Sequence, residues 1–214
     1  MYCGKWFFKV TSFKICNNLI VSHTAGVNGA PVSKTVTYHT ISSSLSGAAR
    51  CWITQNLGSD QQAGIATDGT DASSGWYWQF NRVQAYQYSG SRLPAGWNGT
   101  NDGSNSWLAG NDPCNLLLGI GWRLPTATET ATVIGGWTGY GSAYASVLKL
   151  HASGYLNMSN GLIYSRGAAG AYWSSTQGAN SAWGNSMNFG VNYTNTAGDS
   201  YQKASGLTVR CLKN

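Results

Sequence analysis

The sequence predicts an α+β domain with short strands, one or two helices and extensive loops. β-branched and aromatic residues gather in short segments, as at 34–38, 51–57 and 76–81, which is typical of strands. Stretches rich in Gly, Ser and Asn separate these segments and predict loops. Helix-start signals are few, at residues 112–113 and before residue 127, so we expect little helix.

The first half of the chain predicts mainly strands. A strand is expected at 19–21, then turns at 26–31, then a strand at 34–38. The small residues at 41–49 predict a turn, which makes 51–57 the expected hairpin partner of 34–38. We place a domain boundary at residue 33, with an N-terminal extension at 1–33 and one domain at 34–214.

Helix signals lie in the middle of the chain. Asp112 before Pro113 is typical of an N-cap followed by the first helical position. Thr126 and Glu129 have the spacing of a capping box, which predicts a helix over 127–134. A second short helix or turn is expected near 143–150.

The chain is poor in charge, with charged residues forming 9% of 214, against about a quarter in ordinary globular proteins. Its net charge of +6 comes from scattered basic residues, which argues against nucleic acid as a partner. No run of about 20 apolar residues predicts a transmembrane segment, and no signal peptide is expected. This composition favours an extracellular location, on a bacterial cell surface or a virion.

The five cysteines have neither a CxxC pair nor a histidine at metal-ligand spacing. Cys51, Cys114 and Cys211 are either small buried residues or part of a disulfide framework, and both alternatives remain open. We expect Cys211 to be buried, because Leu207, Val209 and Cys211 share one face of a final strand. We do not expect Cys114 to meet Cys211.

The C-terminal segment combines an apolar alternation with small polar residues. Gly, Ala, Ser, Thr, Asn, Asp, Gln and Tyr form 25 of the 30 residues from 177 to 206. Met187, Phe189 and Val191 alternate with polar positions, so a strand would bury these three. The predicted ligand-binding residues are Gln177, Asn180, Trp183, Asn185, Asn188, Asn192, Tyr193, Asn195, Asp199 and Tyr201.

Six phrases in a fixed order carry a family resemblance. They are KTVTY at 34–38, CWITQNLG at 51–58, GWYWQFNR at 75–82, GWRLPT at 121–126, YWSSTQ at 172–177 and VRCL at 209–212. From about residue 16 onward the chain resembles the Fibrobacter succinogenes major paralogous domain, a secreted module related to the formylglycine-generating branch of the C-type lectin fold. The resemblance implies a C-type-lectin-like fold with 34–38 and 207–212 in one antiparallel sheet. Thr130 and His39 depart from the family's usual residues.

The segment after residue 177 is also similar to the variable proteins of diversity-generating retroelements, in which Asn and Tyr codons mutate. This similarity implies a non-catalytic receptor-binding protein or adhesin whose variable face binds a protein or glycan on a cell surface. The first resemblance leaves two alternatives, a formylglycine-generating-type oxidase and a structural surface module.

Catalysis and cofactors have little support in the sequence. His23, His39 and His151 accompany no GxSxG phrase or similar signature, so no catalytic residue is assigned. We expect no cofactor, although C-type lectins often use calcium and two loops, at 68–71 and 101–103, offer oxygen ligands for it.

Overall fold

The computed structural model describes residues 16–88, 90, 94–101, 103, 105–195 and 201–214. These residues form a sheet-rich α+β structure, so the predicted class is confirmed. The expectation of one or two helices is wrong, because the described residues contain four short α-helices.

The strands are β1 (Leu19–His23), β2 (Lys34–Tyr38), β3 (Thr40–Ser43), β4 (Arg50–Ile53), β5 (Tyr77–Gln79), β6 (Ala85–Tyr86), β7 (Trp122–Arg123), β8 (Tyr155–Leu156), β9 (Ile163–Tyr164), β10 (Gly170–Gln177), β11 (Trp183–Phe189), β12 (Thr194–Asn195), β13 (Tyr201–Gln202), β14 (Gly206–Leu207) and β15 (Leu212–Lys213). The helices are α1 (Asp71–Ser74), α2 (Pro113–Leu118), α3 (Ala127–Ile134) and α4 (Tyr140–Ala145), with a 3-10 turn at Ala109–Asn111.

The strands form four antiparallel sheets. Their orders are β1-β2, β3-β4-β15-β7, β6-β5-β14-β8-β9, and β10-β11-β12 with β13 also paired to β11. The boundary predicted at residue 33 falls just before β2, between the two strands of the first sheet. A disulfide from Cys16 to Cys51 joins this N-terminal hairpin to β4.

The predicted partners of 34–38 are wrong. β2 pairs with β1, while β4 pairs with β3, which overlaps the start of the expected turn at 41–49. The chain changes sheet at His39, whose carbonyl accepts from Thr54 N at 2.9 Å. Short polar strands such as β3 are stabilised by their partner, and their own sequence resembles a turn.

The sheet expected to contain both 34–38 and 207–212 is also absent from the described residues. The C-terminal run divides, since β14 lies in the five-stranded sheet and β15 in the four-stranded sheet of β3, β4 and β7. Between them, the Val209 carbonyl accepts from Leu57 N and the Cys211 carbonyl accepts from Ile53 N, both at 3.2 Å. The last residues therefore join two sheets.

The local helix predictions agree with the structure. Thr126 and Glu129 form the capping box of α3, and Asp112 caps α2 with Pro113 in its first turn. Arg123 also donates two hydrogen bonds to Glu129, each 2.7 Å long. The short helix or turn expected near 143–150 corresponds to α4, which begins three residues earlier, and to the turn at 147–148 that follows it.

A second disulfide crosses the core between Cys114 and Cys211, both with no exposed surface. The burial of Cys211 is confirmed, whereas the expectation that it would not meet Cys114 is wrong. The two residues are 97 positions apart, and packing of α2 beside the last strands brings them together. Arg210 is also fully buried, donating to the Leu148 carbonyl and to Asn56 Oδ1, and burial lowers its pKa to about 10.

Candidate functional site

The described part of the C-terminal segment forms one small sheet. β10 and β11 pair from Gly170 opposite Phe189 to Gln177 opposite Gly184, with an irregularity between Trp173 and Gln177. β12 and β13 add to the other edge of β11. The predicted binding residues therefore lie mainly on β11, on its flanking turns and on two very short edge strands.

The apolar alternation is correct for two of its three residues. Met187 and Phe189 have no exposed surface, but Val191 is 62% exposed, so its predicted burial is wrong. β11 ends at Phe189, and a turn follows in which Gly190 N donates to the Tyr193 carbonyl at 3.0 Å. Val191 lies in this turn, where the inward and outward alternation of a strand no longer applies.

The predicted binding residues differ in exposure. Asn180, Asn192, Tyr193 and Asn195 are exposed, Gln177, Trp183, Asn188 and Tyr201 are half-buried, Asn185 is buried, and Asp199 lies outside the described residues. Exposed members are thus concentrated in the turns on either side of β11. The exposed residues therefore do not form one face of a regularly alternating strand.

At least three of the predicted contact residues have amides that already bond to the chain. Asn180 Oδ1 accepts from Ala182 N at 2.9 Å. Asn185 Nδ2 donates to the Gln177 carbonyl at 2.7 Å, across the irregular part of the hairpin. Gln177 Oε1 accepts from Lys203 Nζ at 2.6 Å. The buried amide of Asn185 supports the backbone in particular, because leaving it unpaired would cost free energy.

Lys203 is a residue that the sequence reasoning missed. It is 1% exposed, and its ammonium also donates to the carbonyls of Gly103 and Asn105. The ammonium lies 5.2 Å from the centre of the Phe80 ring. Lys203 thus links the described part of the loop around 101–106 to the end of β10, and its surroundings of small polar residues gave no signal of burial.

Four tyrosines form a surface cluster beside these turns, and two of them were also missed. Tyr155 stacks with Tyr164, their ring centres 6.0 Å apart, and meets Tyr201 edge-on at 4.9 Å. Burial, followed by the Tyr155 phenol, raises the pKa of Tyr193. Burial, followed by the phenols of Tyr155 and Tyr193, raises the pKa of Tyr201. Ring contacts thus join Tyr155, Tyr164 and Tyr201, and the electrostatic effects of Tyr155 on Tyr193 and of Tyr193 on Tyr201 add Tyr193 as a neighbour. The four are called the tyrosine cluster below.

The histidines with perturbed pKa values are buried within the fold. His23 Nε2 lies 2.9 Å from Tyr38 Oη, and burial, with a smaller contribution from Lys34, lowers the pKa of His23 to about 4. Burial and then Arg210 lower the pKa of His151 to about 3. Both are therefore neutral at pH 7, and their burial suits a structural role.

In the described part of the candidate calcium loops, the aspartate carboxylates bond within the chain. Asp68 accepts from Thr70 N and from Gly64 N, and these bonds outweigh the effect of burial and lower its pKa to about 2. Asp71 pairs with Arg166. Asp102, of the second loop, lies outside the described residues. Within the described ranges, no group of three or more His, Cys, Asp or Glu side chains could hold a metal ion.

None of the helices in the described part of the chain is long and apolar enough to cross a membrane. Comparison of the chain with protein-family models, with curated proteins and with solved structures finds no match.

Proposed function

We propose that this chain is a non-catalytic ligand-binding protein, a receptor-binding protein or adhesin, that uses the turns around β11 on a C-type-lectin-like domain. One observation carries the proposal. The side chains that hold the C-terminal sheet in place, such as Met187 and Phe189, are fully buried, while Asn180, Asn192 and Tyr193 are exposed in adjacent turns. Exposed residues of this kind can change with little effect on the core.

The same separation supports a face diversified by a retroelement, with a protein or glycan on another cell surface as its ligand. Tyr supplies rigid contact area, and Asn, Ser and Gly supply adaptable hydrogen bonds. The two disulfides favour an extracellular location, because such bonds persist in oxidising compartments. Diversification predicts, in the neighbouring DNA, a reverse transcriptase gene and a near-repeat of the C-terminal coding segment that differs at adenines.

The oxidase alternative is less well supported than binding. It requires a reachable pair of reactive cysteines, whereas Cys114 and Cys211 are joined in a disulfide and have no exposed surface. A structural surface module would need no binding face and predicts no binding to cells. A peptide oxidation assay and a cell-binding assay separate the three functions.

The test of the proposal is flow cytometry of the labelled protein on a panel of intact bacteria. The face variant combines Asn180→Ala, Asn192→Ala, Tyr193→Ala and Asn195→Ala, and a control variant replaces Ile65 and Ile120, which are 60% and 94% exposed elsewhere. We expect the face variant to lose at least about tenfold in binding, with a melting temperature close to that of the parent, because surface changes cost little stability. Equal binding by parent and face variant, or no binding by the parent, would contradict the proposal.

A further inference from the structure

Tyr155 and Tyr164 give the candidate face a part that lies outside the C-terminal segment. They are Cα partners across the β8–β9 hairpin. Their contacts continue from Tyr155 to Tyr201 and from Tyr201 to Trp173, whose ring centre is 6.5 Å away. Because Trp173 is fully buried, the row of tyrosines is fixed to the core.

The exposed part of this row is aromatic and uncharged. Tyr164 and Tyr193 are 44% and 47% exposed, while Tyr155 and Tyr201 are half-buried. The described residues of the candidate face carry no charge, since Asp199 is the one ionised residue among the predicted contacts and lies outside the described ranges. Lys203 is nearby, but its ammonium is buried.

The exposed rings of the tyrosine cluster match a sugar ring in size, and by themselves they are too small for a stable protein interface. A stable protein interface buries about 800 Å² on each partner around an apolar core. Two tyrosines that are each less than half exposed offer only about 100 Å² apiece, from the usual area of such side chains. A pyranose needs less, because its C–H face packs on one aromatic ring while its hydroxyls bond to polar groups around that ring.

We propose that the tyrosine cluster is a stacking platform for a neutral carbohydrate, in which Tyr155 and Tyr164 are fixed and the neighbouring C-terminal turns select among sugars. This inference rests on the proposed binding function and names its ligand class. The recognition uses ring faces and amides, and the carboxylates of Asp68 and Asp71 bond within the chain. A recognition mode of ring faces and amides requires no metal, so this binding should persist without calcium.

The experiment screens the full chain, in EDTA, on an array of neutral, sialylated and sulfated oligosaccharides, followed by titration calorimetry with the best neutral sugar. Tyr164→Ala is expected to raise the dissociation constant at least about tenfold. Tyr164→Phe, which keeps the ring, should stay within about threefold, as should the control Ile120→Ala. Because Tyr164 is an exposed residue of an edge strand, its variants should fold, and a thermal melt checks this.

Several results would overturn the inference and leave ligand binding itself intact. They are binding of charged sugars alone, loss of binding in EDTA, and full affinity of the Tyr164→Ala variant. A negative array together with cell binding that disappears after protease treatment of the cells would indicate a protein ligand. Absence of both array binding and cell binding would remove the proposed function as well.

Discussion

Phe189→Ala should lower the free energy of unfolding far more than a change in the turn next to it. Phe189 is fully buried, stacks with Tyr172 at 5.8 Å and meets Trp137 edge-on at 6.4 Å. Removing its ring leaves a cavity walled on one side by Gly170, which has no side chain to fill it. Replacing a buried Phe by Ala lowers the free energy of unfolding by about 3–5 kcal/mol. The exposed change Asn192→Ala should alter it by no more than about 0.5 kcal/mol.

Urea denaturation followed by circular dichroism measures both variants, and an unchanged slope would indicate that the extent of unfolding is comparable. The reasoning fails if Phe189→Ala costs less than about 1 kcal/mol, or if Asn192→Ala costs as much as Phe189→Ala. The first result would mean that the site collapses around the missing ring. The second would mean that the turn belongs to the core.

Gly170 offers an independent check of the same packing. A Cβ at this position would lie 2.4 Å from two atoms of the Phe189 ring and 2.6 Å from the His151 carbonyl oxygen. Gly170→Ala should therefore cost about 1–3 kcal/mol by overpacking. Combined with Phe189→Ala, its added cost should be smaller, because the ring clash is gone and the carbonyl clash remains.

Two further predictions concern the disulfides and pH. Replacing Cys114 and Cys211 by Ala should lower the free energy of unfolding by roughly 4–5 kcal/mol. This loss should be about 1 kcal/mol larger than for Cys16 and Cys51, because the sequence separations are 97 and 35 residues. Denaturation midpoints in the opposite order would contradict this. Stability should also fall as pH decreases from 7 to 5. His23 and His151 have folded pKa values of about 4 and 3, so the unfolded chain, with histidine pKa values near 6.5, binds more protons in this range. The slope of the unfolding free energy against pH is at most about 1.4 kcal/mol per pH unit for each histidine. His23→Asn should reduce this slope. Urea midpoints that do not change with pH would refute the lowered histidine pKa values.

The candidate site was predictable only in part. The exposure of Asn180, Asn192 and Tyr193 agrees with their small polar surroundings, since such residues seldom fill a core. Tyr155 and Tyr164 were not found, because nothing near them in the chain distinguishes a surface ring from a core ring. Their place beside Tyr201 depends on the docking of the β8–β9 hairpin, a contact between distant segments.

Local signals in the sequence determined the capping box of α3, the Asp112 cap of α2, the strand at 34–38 and the burial of Met187 and Phe189. Each depends on neighbouring residues and on backbone periodicity. Only the tertiary structure decided the partner of 34–38, the Cys114–Cys211 disulfide and the exposure of Val191. Strand pairing and disulfide formation join residues that are far apart in sequence. The end of β11 depends on the turn that packs against Gly139 and Tyr140. All three features are therefore specified only by the packing of the whole chain.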